Sequence, residues 1–175
     1  VGSAHLELVG DVTVGMAPGM YSWCILLTFT IPSTAPSASA ELIGGVLAHP
    51  RYRHDHISRW TPANQEPVHG PYRLEALKAD GFQRCSRATA VDILWSWPMT
   101  NLNPWVSAGF LLSRELVMAW TSPILNDADE IYRLSVPRDG NEHSYGWVIG
   151  LNGYHEFLAV SRRRATATVI IASDD

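Results

Sequence analysis

Ten residues constrain this chain more than any others: SWCILLTFTI, Ser22 to Ile31. Trp23, Ile25, Leu27, Phe29 and Ile31 share one parity, against Ser22, Cys24, Thr28 and Thr30 on the other. A period of two is that of a strand, so the segment predicts one face in a core and the other outside. Pro32 and Pro36 have no N–H to give a ladder, and the small polar residues between them predict a crossing loop. Glu41 to Ala48 is apolar again and is expected to be a second strand, with Gly44 and Gly45 allowing a bulge.

This habit of strand, proline loop and strand recurs. Leu6, Leu8, Val12 and Val14 alternate with Glu7, Asp11 and Thr13, which predicts a first strand with a bulge at Gly10. Further strands are expected over Ala88–Trp97, Ser107–Ser113, Glu115–Thr121, Ile131–Val136, Tyr145–Leu151, Tyr154–Val160 and Ala165–Ala172. Asn152-Gly153 is a two-residue hairpin signal between Tyr145–Leu151 and Tyr154–Val160. Only Pro71–Ala79 reads as a helix, with proline at its first position, Leu74 and Leu77 three apart, and Gly81 as a stop. The expectation is an all-β protein. It is a single antiparallel β-sandwich domain over 1–175, a jelly roll of eight to ten strands with one short helix in a crossing loop.

The 17% of charged residues is low against a typical ~25%, so the surface needs uncharged polar cover or a partner that hides it. Seven tryptophans point the same way, since Trp is favoured in cores and interface centres. A net charge of -4 argues against wholesale electrostatic binding of nucleic acid. Lys78 is the single lysine among thirteen basic side chains, and arginine suits fixed bidentate contacts. No run of eighteen apolar residues is present, so no membrane-spanning helix is expected. VGSAHLELVGDVTV, at the start, lacks the basic segment and apolar core of a secretory leader.

Four groups of side chains carry possible chemistry. His49, His54, His56 and His69, with Asp55 and Glu66, lie in the irregular stretch 50–70 and its border. His54 and His56 on a strand would share a face, and with Glu66 they resemble in outline the metal site of the cupin family. The ten residues between His56 and Glu66 depart from cupin spacing. Trp60 and Trp105 fall in loops, where they would stack on a sugar or fill a partner's pocket. Asn126, Asp127, Asp129 and Glu130 form an acidic turn whose oxygens would suit calcium. Arg162, Arg163 and Arg164 would grip phosphate or a partner's carboxylates. A Cys24–His69 thiol dyad is disfavoured, because Cys24 sits in mid-strand rather than at a helix N-terminus that would lower its pKa.

Trp23–Ile31, Pro32–Ser39 and Glu41–Ala48, in that order, resemble a passage of the coat proteins of small non-enveloped icosahedral viruses. There, too, an aromatic strand ends in a proline, crosses a Ser/Thr/Pro loop and enters a glycine-containing strand. A short helix in a long crossing, Pro71–Ala79, and a closing strand, Thr166–Ala172, are similar as well. The resemblance implies a non-catalytic, self-assembling shell subunit located in the virion. Its partners would be copies of itself and other shell subunits. Asp127, Asp129 and Glu130 would form a calcium site between subunits, Arg162, Arg163 and Arg164 would contact nucleic acid or a neighbour, and His54, His56, Trp60 and Trp105 would line interface loops. Two other readings stay open: a carbohydrate- or ligand-binding β-sandwich using Trp60 or Trp105, and a jelly-roll metal enzyme using His54, His56 and Glu66.

Overall fold

The alternation at 22–31 becomes the second of eight strands in a computed structural model that describes residues 6–15, 22–32, 39–54, 67–99, 112–143 and 153–174. In chain order these are β1 (Glu7–Val14), β2 (Ser22–Thr30), α1 (Ser39–Ala48), β3 (Val68–His69), β4 (Tyr72–Arg73), β5 (Phe82–Arg84), α2 (Arg87–Ser96), α3 (Arg114–Asp127), β6 (Glu130–Leu134), β7 (His155–Ser161) and β8 (Thr166–Asp174). Six strands form one sheet in the order β1-β2-β8-β7-β6-β5, and every neighbouring pair is antiparallel. β3 and β4 make a separate hairpin.

The sheet is covered on both faces. Trp23, Ile25, Leu27 and Phe29 of β2, Val169 and Ile171 of β8, and Leu158 and Val160 of β7 pack with Leu42, Ile43 and Val46 of α1. On the other face, Cys24, Leu26, Ile170, Phe157 and Ile131 meet Ala90 and Leu94 of α2 and Val117 and Leu125 of α3. The second parity of β2 is therefore inside as well, not outside: Cys24 is 0% and Leu26 5% exposed. Each fully buried Leu, Ile or Phe contributes roughly 1.5–3 kcal/mol of transfer free energy, so a strand lined on both faces is the natural centre of the fold.

The antiparallel, β-rich expectation agrees with this sheet. Among the described residues, however, helices rather than a second large sheet lie over its faces, and there are three of them instead of one. Glu41–Ala48, expected as a strand, is α1. Leu42, Ile43 and Val46 form one buried stripe, and a Cβ added at Gly44 would meet nothing within 4 Å. Ala88–Trp97, also expected as a strand, is α2. Ser86 Oγ caps it by accepting the Thr89 N–H at 3.0 Å, and Ala90, Leu94 and Trp97 follow at helical spacing. Glu115–Thr121 lies in α3, capped in the same way by Ser113, with Val117, Thr121 and Leu125 on the core side. Short apolar runs satisfy both periods, and packing decided between them. Conversely, the helix expected at Pro71–Ala79 is β4 followed by a 3-10 turn at Leu74–Ala76, because Tyr72 pairs with His69 across the Gly70-Pro71 turn. The strands expected at the start, at Ile131–Val136, Tyr154–Val160 and Ala165–Ala172 are found, with the register of β1 shifting between Leu8 and Gly10. Tyr145–Leu151 and most of Ser107–Ser113 lie outside the described residues.

Candidate functional site

His56, Trp60, Trp105 and Glu66 lie outside the described residues. His54 is half-buried, and its carbonyl accepts the Gly70 N–H at 2.9 Å. His49 accepts the Arg51 N–H on Nδ1 at 3.1 Å and sits edge-on to Phe29.

The acidic turn and the arginine triplet, read separately from the sequence, come together. The β7–β8 turn carries Arg162, Arg163 and Arg164 against the junction of α3 and β6. Arg162 Nε donates to Glu130 Oε1 at 3.0 Å, and the Arg162 backbone N–H donates to Asp129 Oδ2 at 2.7 Å. Arg164 Nε reaches Asp127 Oδ2 at 2.7 Å, Arg163 pairs with Asp127 Oδ1, and the Ser161 hydroxyl donates to Asp127 Oδ2 at 2.7 Å. The Ser161 hydrogen bond first, then Arg163 and Arg164, hold the Asp127 carboxyl below its usual range. For Glu130, burial pushes upward but is outweighed by hydrogen bonds from Tyr132, Ser39 and Arg162, so its pKa is also lowered. The Arg162 guanidinium thus pairs with Glu130 and those of Arg163 and Arg164 with Asp127, while Asp129 accepts a backbone N–H. Among the described residues no group of three His, Cys, Asp or Glu side chains is placed to hold a metal ion.

A second polar cluster is buried in the face that α1 covers. Residues 154, 156 and 158 share a parity, so Glu156 points with Leu158 into that core, and its register partner on β8 is Ile171. His69 of β3 stacks on Tyr52 with ring centroids 3.5 Å apart and planes 8° from parallel. His69 Nδ1 lies 2.5 Å from the Tyr52 carbonyl, which can only accept, so Nδ1 carries a proton. Nε2 lies 2.6 Å from Glu156 Oε2. Tyr52 donates to Glu156 Oε1 at 2.6 Å and Tyr154 to Oε2 at 3.0 Å. One proton lies between Nε2 and Oε2, and either placement leaves the pair with zero net charge. Burial, then the Glu156 carboxylate, pushes both tyrosine hydroxyls well above their usual value. His69 is 0% and Glu156 1% exposed. The cluster is therefore a closed, fully bonded acid–base pair that ties the turn after α1 and the β3–β4 hairpin to β7.

Cys24 faces the opposite side of the sheet from Glu156, which separates it from His69, and burial pushes its thiol up to about 12. The thiol dyad is absent. Glu156 is the residue that sequence reasoning missed. Its signal was a carboxylate on the same parity as Leu158 and Val160, in a strand whose apolar face must be inside.

Two further features are exposed. Four large apolar side chains of the helical layer stay exposed: Trp95 at the end of α2, Met99 after it, Leu116 in the first turn of α3 and Trp120 one turn further on, at 43%, 41%, 41% and 43%. α2 and α3 run antiparallel, since Arg87 at the start of α2 donates to the Leu125 carbonyl near the end of α3, while Arg114 lies 5.4 Å from the centre of the Trp95 ring. A cavity of about 220 Å³ opens between the last turn of α3 and strands β2, β7 and β8, and a wider one of about 470 Å³ lies at the start of α1, beside Lys78 and Tyr132. No protein-family model matches the chain, and no curated protein or solved structure is detectably similar to it.

Proposed function

We propose that this chain is a non-catalytic assembly subunit that associates with copies of itself through its α2–α3 helical layer. The observation that carries the reading is the exposure of Trp95, Met99, Leu116 and Trp120 on α2, the turn after it and the first half of α3. Large aromatic side chains left in water are unfavourable unless something covers them, and Trp and Met are enriched at interface centres. A standard interface takes ~800 Å² per partner, roughly 28 Å on a side, which is wider than one helix and takes in both flanks of α3. The same two helices carry Asp92, Arg114 and Glu115. With both signs of charge around apolar side chains, the patch can meet its own copy across a two-fold axis, arginine against carboxylate. The paired arginine–carboxylate turn and the sealed His69–Glu156 pair also favour a structural role over a reactive one.

A coat protein of a virion is the narrower form of this reading. It draws on the strands at Trp23–Ile31 and Thr166–Ala172, because Glu41–Ala48 and Pro71–Ala79 have other structures. Light scattering over a range of protein concentrations tests the proposal. The wild type should form dimers or larger particles, and the double variant Trp95→Ser, Trp120→Ser should be monomeric with an unchanged circular dichroism spectrum. A wild type that stays monomeric at every concentration would overturn it.

A further inference from the structure

We propose that the cavity beside the β7–β8 turn is a binding site for a compact, neutral polyhydroxylated molecule, the size of one sugar ring or an inositol. The sheet face under α3 changes character toward that turn. Leu26, Ile170 and Phe157 lie side by side in one row, and all three are core. The next row is Thr28, Thr168 and Ala159, and beyond it Thr166 faces Ser161. Thr168 is only 5% and Ser161 6% exposed, so these hydroxyls form the floor of a recess rather than an open surface.

Hydroxyls at such positions need partners. Thr28 and Thr168 bond each other at 3.1 Å, which uses one donor of the pair and leaves the second donor and further lone pairs for a guest. The walls are Pro123, Ile124 and Asp127 of α3 and Arg164 of the turn, and Ala159 completes the floor. Pro123 has no N–H for the Ala119 carbonyl, so α3 lacks one helical hydrogen bond where it borders the cavity.

Charge narrows the ligand class. An anion would meet the Asp127 carboxylate, and a cation would meet the Arg163 and Arg164 guanidiniums that flank it. The two charged wall residues, Asp127 and Arg164, sum to zero. A neutral polyol suits this lining: its hydroxyls both donate and accept, as those of Thr28, Thr166 and Thr168 do. Arg164 can donate to it, Asp127 can accept from it, and Pro123, Ile124 and Ala159 meet its C–H face. The volume of about 220 Å³ falls below the ~300–1,000 Å³ of sites for drug-sized ligands, which limits the guest to about one ring.

This site is tested separately from the association surface, by saturation-transfer NMR and calorimetry with D-glucose, D-galactose, D-mannose and myo-inositol. Inorganic phosphate and calcium chloride serve as charged comparisons. At least one neutral polyol should bind with a Kd near or below about 1 mM. Arg164→Ala, at a side chain 65% exposed, should weaken it about tenfold while leaving the fold intact. Thr168→Val should do the same from the floor, and Thr13→Val on the far face of β1 should change nothing. The proposal is overturned if none of the four polyols binds by about ten times that concentration. It is equally overturned if Arg164→Ala binds as tightly as the wild type, or if phosphate or calcium displaces the polyol.

Discussion

Replacing Glu156 with glutamine keeps the side-chain volume and replaces one acceptor oxygen of the buried cluster with an NH2 donor. Three donors converge on the carboxylate: Tyr52 on Oε1, and His69 Nε2 and Tyr154 on Oε2. A glutamine offers one acceptor oxygen and one NH2 group. With its oxygen toward Tyr52, the NH2 faces His69, which must lose its Nε2 proton and accept, while Nδ1 keeps its bond to the Tyr52 carbonyl. Tyr154 can then accept from the NH2, but its own hydroxyl, 3.0 Å from Nε2, competes with the second amide N–H for the one Nε2 lone pair, so one donor goes unpaired. One orphaned buried donor costs about 1–3 kcal/mol. The flipped amide instead strands Tyr52 and leaves a charged imidazole without its counter-ion, which is no better. Glu156→Ala removes every acceptor at once and should cost about 3–5 kcal/mol, the range for breaking a buried pair by deleting one partner. For a chain of this length each kcal/mol lowers the Tm by about 2–4 °C, so the glutamine variant should melt roughly 2–12 °C below the wild type. Urea unfolding followed by tryptophan fluorescence gives the ordering directly, with m values unchanged. A glutamine variant within about 0.5 kcal/mol of the wild type, or an alanine variant no worse than the glutamine one, would refute the role given to this cluster.

The acid limb of stability should depend on the arginine–carboxylate turn. Asp127 and Glu130 both have lowered pKa values, so the folded protein binds protons there more weakly than the unfolded chain. Their stabilisation is complete above the unfolded carboxylate pKa of about 4 and is lost as pH falls through the lower folded values. Asp127→Asn should flatten that limb, and urea midpoints for the two proteins that run parallel from neutral pH to pH 2 would contradict it. Two glycines at positive φ provide a matched pair. At Gly140 (φ 74°) an added Cβ meets nothing within 4 Å, whereas at Gly70 (φ 50°) it would lie 2.5 Å from the Tyr154 ring. Gly140→Ala should cost only the left-handed penalty of about 1–2 kcal/mol, and Gly70→Ala clearly more, because the Tyr154 ring also holds the Glu156 hydrogen bond. Equal midpoints in urea would count against the tight seating of Tyr154.

Period-two patterning was enough to read β1, β2, β6, β7 and β8, the Gly10 irregularity and the antiparallel, β-rich character of the chain. These features depend on neighbours in the chain, which fix side-chain parity before any tertiary contact forms. Parity could not say whether Glu41–Ala48, Ala88–Trp97 and Glu115–Thr121 would coil, since each is a short apolar run compatible with either period. The helices were decided by Ser86 and Ser113 at their caps and by the two sheet faces that needed covering. Nor could composition show that the acids of 127–130 and the arginines of 162–164 would come together, or that Glu156 would find His69, 87 residues away. Such pairings exist only once the sheet order is set. A hydrogen bond between distant residues depends on which strands become neighbours, and that is a property of the whole packed chain.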